Sequence, residues 1–165
     1  MTILAALLLA AAPMPAADPA CVSPAPLAEP WTSWNQSGQV KAGALVAGAP
    51  ALILGKPVAA SLTPTAYVQF AVAPAKGAKE GNGGLFTLSL KQATRIGIAL
   101  DGPGWIDVLT GQTAQASVDH GHGPPCSGIR KIVWFDLAAG RHIVQLAGAK
   151  ASTVRIMAAD GRANQ

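Results

Sequence analysis

Beyond residue 45 the apolar side chains of this chain return at every second position, in short runs closed by Gly, Pro or Asp. After Leu45 and Leu52-Ile53-Leu54, residues Val58, Ala60 and Leu62 alternate up to Pro64, and Tyr67, Val68, Phe70 and Val72 lead up to Pro74. Phe86, Leu88 and Leu90 follow, then Ile96, Ile98 and Leu100, and after the Asp101–Gly104 turn the run Trp105–Leu109. Val133, Phe135 and Leu137, then His142, Val144 and Leu146, then Val154 and Ile156 complete the series. Successive residues of an extended strand point to opposite faces, so this period marks strands. A helix needs a period near 3.6, and no stretch after position 20 carries one over twelve residues.

The expected fold is therefore all-β: a single antiparallel β-sandwich, jelly-roll-like, with eight or nine short strands over residues 37–159. Sandwich is preferred to barrel. Lys131–Leu137 and Arg141–Leu146, joined by Ala138-Ala139-Gly140, read as a β-hairpin. Thr153–Ala158 supplies the last strand, and residues 160–165 are expected as a loose tail. Lys41, Lys56 and Lys91 are placed to guard strand edges.

The start of the chain has a different character. Ile3 to Ala12 are ten apolar residues in a row. A bilayer span needs about 20, so the run has the length of a signal-peptide core instead. No Lys or Arg precedes it. Residues 1–17 are expected to be a signal peptide cut near Ala16 or Ala17, which places the mature protein in the periplasm or outside the cell with no transmembrane segment. Lipidation of Cys21 is disfavoured, because Asp18 stands where a lipobox has a Leu-like residue. Residues 18–36 form a Pro-rich lead-in, with Pro at 19, 24, 26 and 30, unsuited to helix or central strand.

The mature chain is then about 148 residues, one domain's worth. Twelve basic residues against eight acidic ones give a net charge of +4. The basic residues are scattered apart from Arg130-Lys131, without the basic-aromatic face of a nucleic-acid binder. Cys21 and Cys126 are the two cysteines. In an oxidising compartment such a pair reads as a disulfide, here tying the lead-in to the middle of the domain.

One segment stands apart, Asp119-His120-Gly121-His122-Gly123-Pro124-Pro125-Cys126-Ser127-Gly128-Ile129-Arg130-Lys131. Its glycines and prolines make an irregular loop, and such loops carry function on rigid β scaffolds. His120 and His122 would point the same way on an extended chain. Two imidazoles can capture Cu or Zn, and a stable site needs three or four ligands, with His142, Asp119 and Cys126 as the further candidates. Two other readings stand beside this one: the histidines pin the loop through backbone hydrogen bonds, or they belong to a ligand-binding surface without metal. Trp31, Trp34, Trp105 and Arg130 are the candidate ligand surface, with a lid over one end of the core as the alternative for Trp31 and Trp34.

Catalytic constellations are not legible. Ser117 and Ser127 lie near His120 and Asp119, but no nucleophile elbow surrounds either serine. Asp107, inside the Trp105 strand, is expected to face solvent. No glycine-rich phosphate loop leads into a helix, so no nucleotide and no other organic cofactor is expected.

The segment HGHGPPCSGIRKIVWFDLAAG, with WIDVL before it, resembles a group of small exported proteins of sphingomonad-like Alphaproteobacteria over most of the mature length. Some of that group carry a homogentisate dioxygenase name, yet the large cupin-type chain and the two-His, one-carboxylate iron pattern of that enzyme are not found here. The succession FTLSL, WIDVL and FDLAAGRHIVQL is also similar to the prepeptidase C-terminal β-sandwich. That second resemblance implies a binding or accessory role, by analogy of fold. The expected function is a non-catalytic exported β-sandwich that binds a protein or glycan partner in the cell envelope. The alternatives are Cu or Zn binding through the His120/His122 loop, and a small secreted enzyme of unknown class.

Overall fold

The computed structural model describes Cys21 and residues 26–161. The expected signal segment, the first part of the lead-in apart from Cys21, and residues 162–165 lie outside the described residues. No helix among the described residues is long and apolar enough to cross a membrane.

The described chain is all-β and forms two facing sheets. In order its strands are β1 (Gly38–Lys41), β2 (Ala51–Leu52), β3 (Val58–Ser61), β4 (Thr63–Pro64), β5 (Asn82–Leu90), β6 (Thr94–Leu100), β7 (Trp105–Thr110), β8 (Thr113–Ala114), β9 (Asp119–Gly121), β10 (Lys131–Leu137), β11 (Gly140–Ala149) and β12 (Thr153–Asp160). The first sheet runs β1-β3-β12-β6-β10-β9, and the second runs β2-β5-β11-β7-β8 with β4 also on β5. Neither closes into a barrel. The long strands pair antiparallel, whereas β1 with β3 and β2 with β5 are parallel. The sheets are thus mixed, and ribbons of two to four residues raise the count above the eight or nine strands expected.

Phe86, Leu88, Ile98, Leu100, Val144 and Ile156, drawn from both sheets, sit in one core between them. Each such side chain contributes roughly 1.5–3 kcal/mol on burial. The alternate residues are covered as well. On the outer face of the first sheet, Ala99, Ile132, Met157 and Ala159 pack under Trp31 and Trp34 of the lead-in. On the outer face of the second, Leu85, Leu109 and Ile143 pack under Val46, Val68, Phe70 and Val72. The molecule is therefore four layers deep, which is why β6 and β11 are buried on both faces rather than on one.

Gly97 shows how closely the outer layer is fitted. A methyl group there would lie 2.7 Å from the Trp134 ring, so the glycine is the slot into which that indole lies. Trp134 in turn meets Trp31 edge to face, with centroids 5.9 Å apart.

Three expectations need correction. Lys131–Leu137 and Arg141–Leu146 are not a hairpin. β10 belongs to the first sheet and β11 to the second, so the short Ala138-Ala139 connection arches across the core. Val133 and Phe135 face Val144 and Leu146 across that core, an arrangement with the same alternation as a hairpin. Tyr67–Val72 is not a strand. It follows a single helical turn at Thr65–Tyr67 and covers the second sheet, held by its apolar residues and by hydrogen bonds to Gln145. Asp160 is not part of a loose tail, since it pairs with Ile96 and accepts a 2.7 Å hydrogen bond from Thr94.

Candidate functional site

β8 pairs only with Leu109 and Thr110, so the Trp105–Asp107 end of β7 is an uncovered edge. Across from it, β9 ends the first sheet on the side of β10. A lateral cleft of about 560 Å³ opens at this flank of the sandwich. Ile106, Val133 and Phe135 line its apolar floor, and Lys76, Trp105, Asp107, Gln115, His120 and Lys131 are among its other residues. His120 is the cross-strand partner of inward-facing Val133, which sets its side chain on the cleft side.

Trp105 is the hub of the cleft. Lys76 Nζ lies 4.8 Å from its ring centroid and Lys131 Nζ lies 5.5 Å from it, both within reach of cation–π attraction. The indole Nε1 donates to Asp107 Oδ1 at 2.8 Å, and Asp107 Oδ2 accepts the Ala75 amide at 3.3 Å. Asp107 is thus half-buried and engaged, not simply turned to solvent. Its bond to Ala75 also fastens the segment that carries Lys76. Lys131 donates to Gly104 O at 2.8 Å. Burial pushes the Lys131 ammonium below the usual lysine range, and the charge of Lys76 pushes it further the same way.

A smaller groove of about 310 Å³ adjoins the cleft, sharing His120 and Lys131 and adding His122 and Arg130. His122 Nδ1 lies 2.7 Å from Arg130 O. A carbonyl only accepts, so Nδ1 donates, and neutral His122 presents the Nε2 lone pair. Cys126 is bonded to Cys21 with a Cα separation of 5.2 Å, as the sequence led one to expect. The loop between is tied internally, with Ser127 N donating to Pro124 O and Ile129 N to Ser127 Oγ. Gly123 is required there, because a methyl group would collide with Ile129.

The structure does not gather the other proposed site residues. His142 is 1% exposed at the far end of β11, where Nε2 donates to Ala138 O and Nδ1 meets Thr110 Oγ1, each at 2.9 Å. It is a clamp between β7, β11 and the arch, and it does not join His120 and His122. Among the described residues no group of three His, Cys, Asp or Glu is placed to hold a metal ion. Cys126 is committed to the disulfide, and Asp119 Oδ1 accepts the His120 amide. Trp31 and Trp34, 6% and 0% exposed, are core residues of the outer layer rather than a ligand surface. Trp105 and Arg130 line the cleft and the adjoining groove respectively. Sequence reasoning missed Lys76, because only the fold brings the 73–81 turn against β7.

The chain matches no protein-family model, no curated protein and no solved structure.

Proposed function

We propose that this chain is an exported β-sandwich protein that acts by binding, holding a glycan or protein component of the cell envelope at the Trp105 cleft. The observation that supports this best is the cleft itself. It is an apolar-floored concavity in the size range of ligand sites, with an aromatic ring and a few polar groups at its rim. It sits on a rigid two-sheet scaffold, and the nearby loop is fixed by a covalent bond. Ser127 and Asp119 are hydrogen-bonded to backbone amides, an anchoring role rather than a nucleophilic one.

The test is a titration of the oxidised protein with cell-envelope glycan fragments, followed by the indole N–H signals in nitrogen-15 NMR. Saturable movement of the Trp105 signal is the expected result, with clearly weaker binding by calorimetry in Trp105→Ala, the fold intact. Turnover of a small substrate would overturn the reading, and a Trp105 signal indifferent to every fragment would overturn its glycan arm.

A second reading, Cu or Zn capture by His120 and His122, draws on the bond that fixes His122 with Nε2 outward. It needs a third donor, and the cations Arg130 and Lys131 line the same groove, which disfavours a further positive charge. Elemental analysis of untagged protein decides it. Metal well below one equivalent, with no uptake on titration, removes it.

A further inference from the structure

Two ammonium groups share the Trp105 indole, and both would be more stable apart. Like charges held near a low-dielectric wall repel more strongly than in water. Among the described residues the one ion pair is Arg95–Asp136, outside the cleft, so neither Lys76 nor Lys131 is in contact with a carboxylate. Asp107, the carboxylate of the cleft, is turned to the Trp105 indole through one oxygen and to the Ala75 amide through the other. Its placement fixes the ring and the Lys76 segment without an ion pair to either ammonium, and two lysines against one carboxylate leave the cleft with an excess of positive charge. Arg130 adds a further positive charge in the adjoining groove.

The rest of the lining describes what carries the complementary charge. Gln115, Ser117 and His120 are polar donors and acceptors suited to hydroxyl groups. Ala75, Ala114 and Ala116 leave a low apolar shelf beside them. We infer that the Trp105 cleft takes a carboxylate-bearing saccharide, its acid group seated between the Lys76 and Lys131 ammoniums and its hydroxyls along the Gln115–His120 rim. This rests on the binding role proposed above and names its ligand class. Trp105 acts here as a positioning residue that holds the two lysines.

The test uses the full oxidised chain and three small probes: digalacturonate, its neutral methyl ester, and octanoate, which carries the acid without the sugar. Digalacturonate is expected to bind saturably and shift the Trp105 indole signal. The methyl ester should bind at least about tenfold more weakly, since charge-assisted hydrogen bonds are the stronger ones. Lys76→Gln, an exposed position, should weaken digalacturonate about tenfold and the ester by much less. Raising salt should weaken the acid alone. If acid and ester bind equally, the anionic ligand class is overturned while the glycan reading stands. If octanoate takes the cleft and both sugars fail, the saccharide is overturned and the glycan reading with it. If none of the three moves the Trp105 signal, the saccharide is overturned and the glycan reading with it, leaving only a protein partner for the binding role.

Discussion

The side chain of Gln145, 1% exposed on the outer face of β11, accepts the Ala71 amide at 3.1 Å. It also donates to Val72 O at 3.1 Å. One buried amide therefore satisfies both polar groups of an irregular segment that has no strand partner there. Gln145→Ala strands those two groups, and an orphaned buried group costs about 1–3 kcal/mol. The expected loss is about 2–3 kcal/mol in denaturant unfolding, with faster hydrogen exchange confined to the 68–75 segment. Gln145→Glu should also destabilise, because an ionised carboxylate cannot donate to Val72 O. An unchanged unfolding midpoint in both variants would show that the segment is held by its apolar contacts alone.

Gly97→Ala tests the fit beneath Trp134. The added methyl lies 2.7 Å from the indole, and overpacking of this kind typically costs about 1–3 kcal/mol. Combining it with Trp134→Leu should recover part of that loss, because the smaller side chain vacates the slot. A double-mutant cycle with no coupling between the positions would contradict the contact.

The disulfide predicts a specific pattern of non-additivity. Cys21 and Cys126 are 105 residues apart, and loops of this size give up to about 4–5 kcal/mol in the chain-entropy description. Cys21→Ser, Cys126→Ser and the double variant should therefore lose the same amount, about 2–4 kcal/mol, under oxidising conditions. Unfolded, unreduced protein should show no free thiol. Two reactive thiols, or a Cys126→Ser variant with an unchanged melting temperature, would show that the bond contributes nothing.

The sequence carried the period of two through β5, β6, β10 and β11, and with it the all-β class and the two-sheet core. It could not carry the arch between β10 and β11. Alternation around a short glycine-containing link is the same whether two strands pair side by side or face each other across a core. The outer layers were hidden for a related reason. Leu85, Leu109 and Ile143 look like ordinary strand residues, and only the three-dimensional path of 65–75 shows that their face is covered. The cysteine pair was legible because the sequence holds two cysteines, far apart, and they are bonded. The cleft was half legible: Trp105 and His120 stood out by residue type, while Lys76 is an unremarkable lysine in a charged turn until the fold sets it on the indole.

Lys131 gives the last prediction, through its coupling to Lys76. Burial lowers its folded value first, and the neighbouring ammonium lowers it further. A lysine titrating lower when folded holds fewer protons in the folded state than in the unfolded state across the window between the two values. Stability then rises with pH in that window. The destabilisation is fully present at neutral pH and fades as pH climbs through the folded value toward the ordinary lysine range. Lys76→Gln removes the charge contribution and leaves the burial. Lys131 should therefore titrate higher than in the parent protein, yet still below an exposed lysine, when its ε-CH2 resonance is followed up to about pH 11. Lys131→Gln should flatten the rise of stability over that window. If Lys131 titrates identically with and without Lys76, the two ammonium groups do not share the cleft in solution.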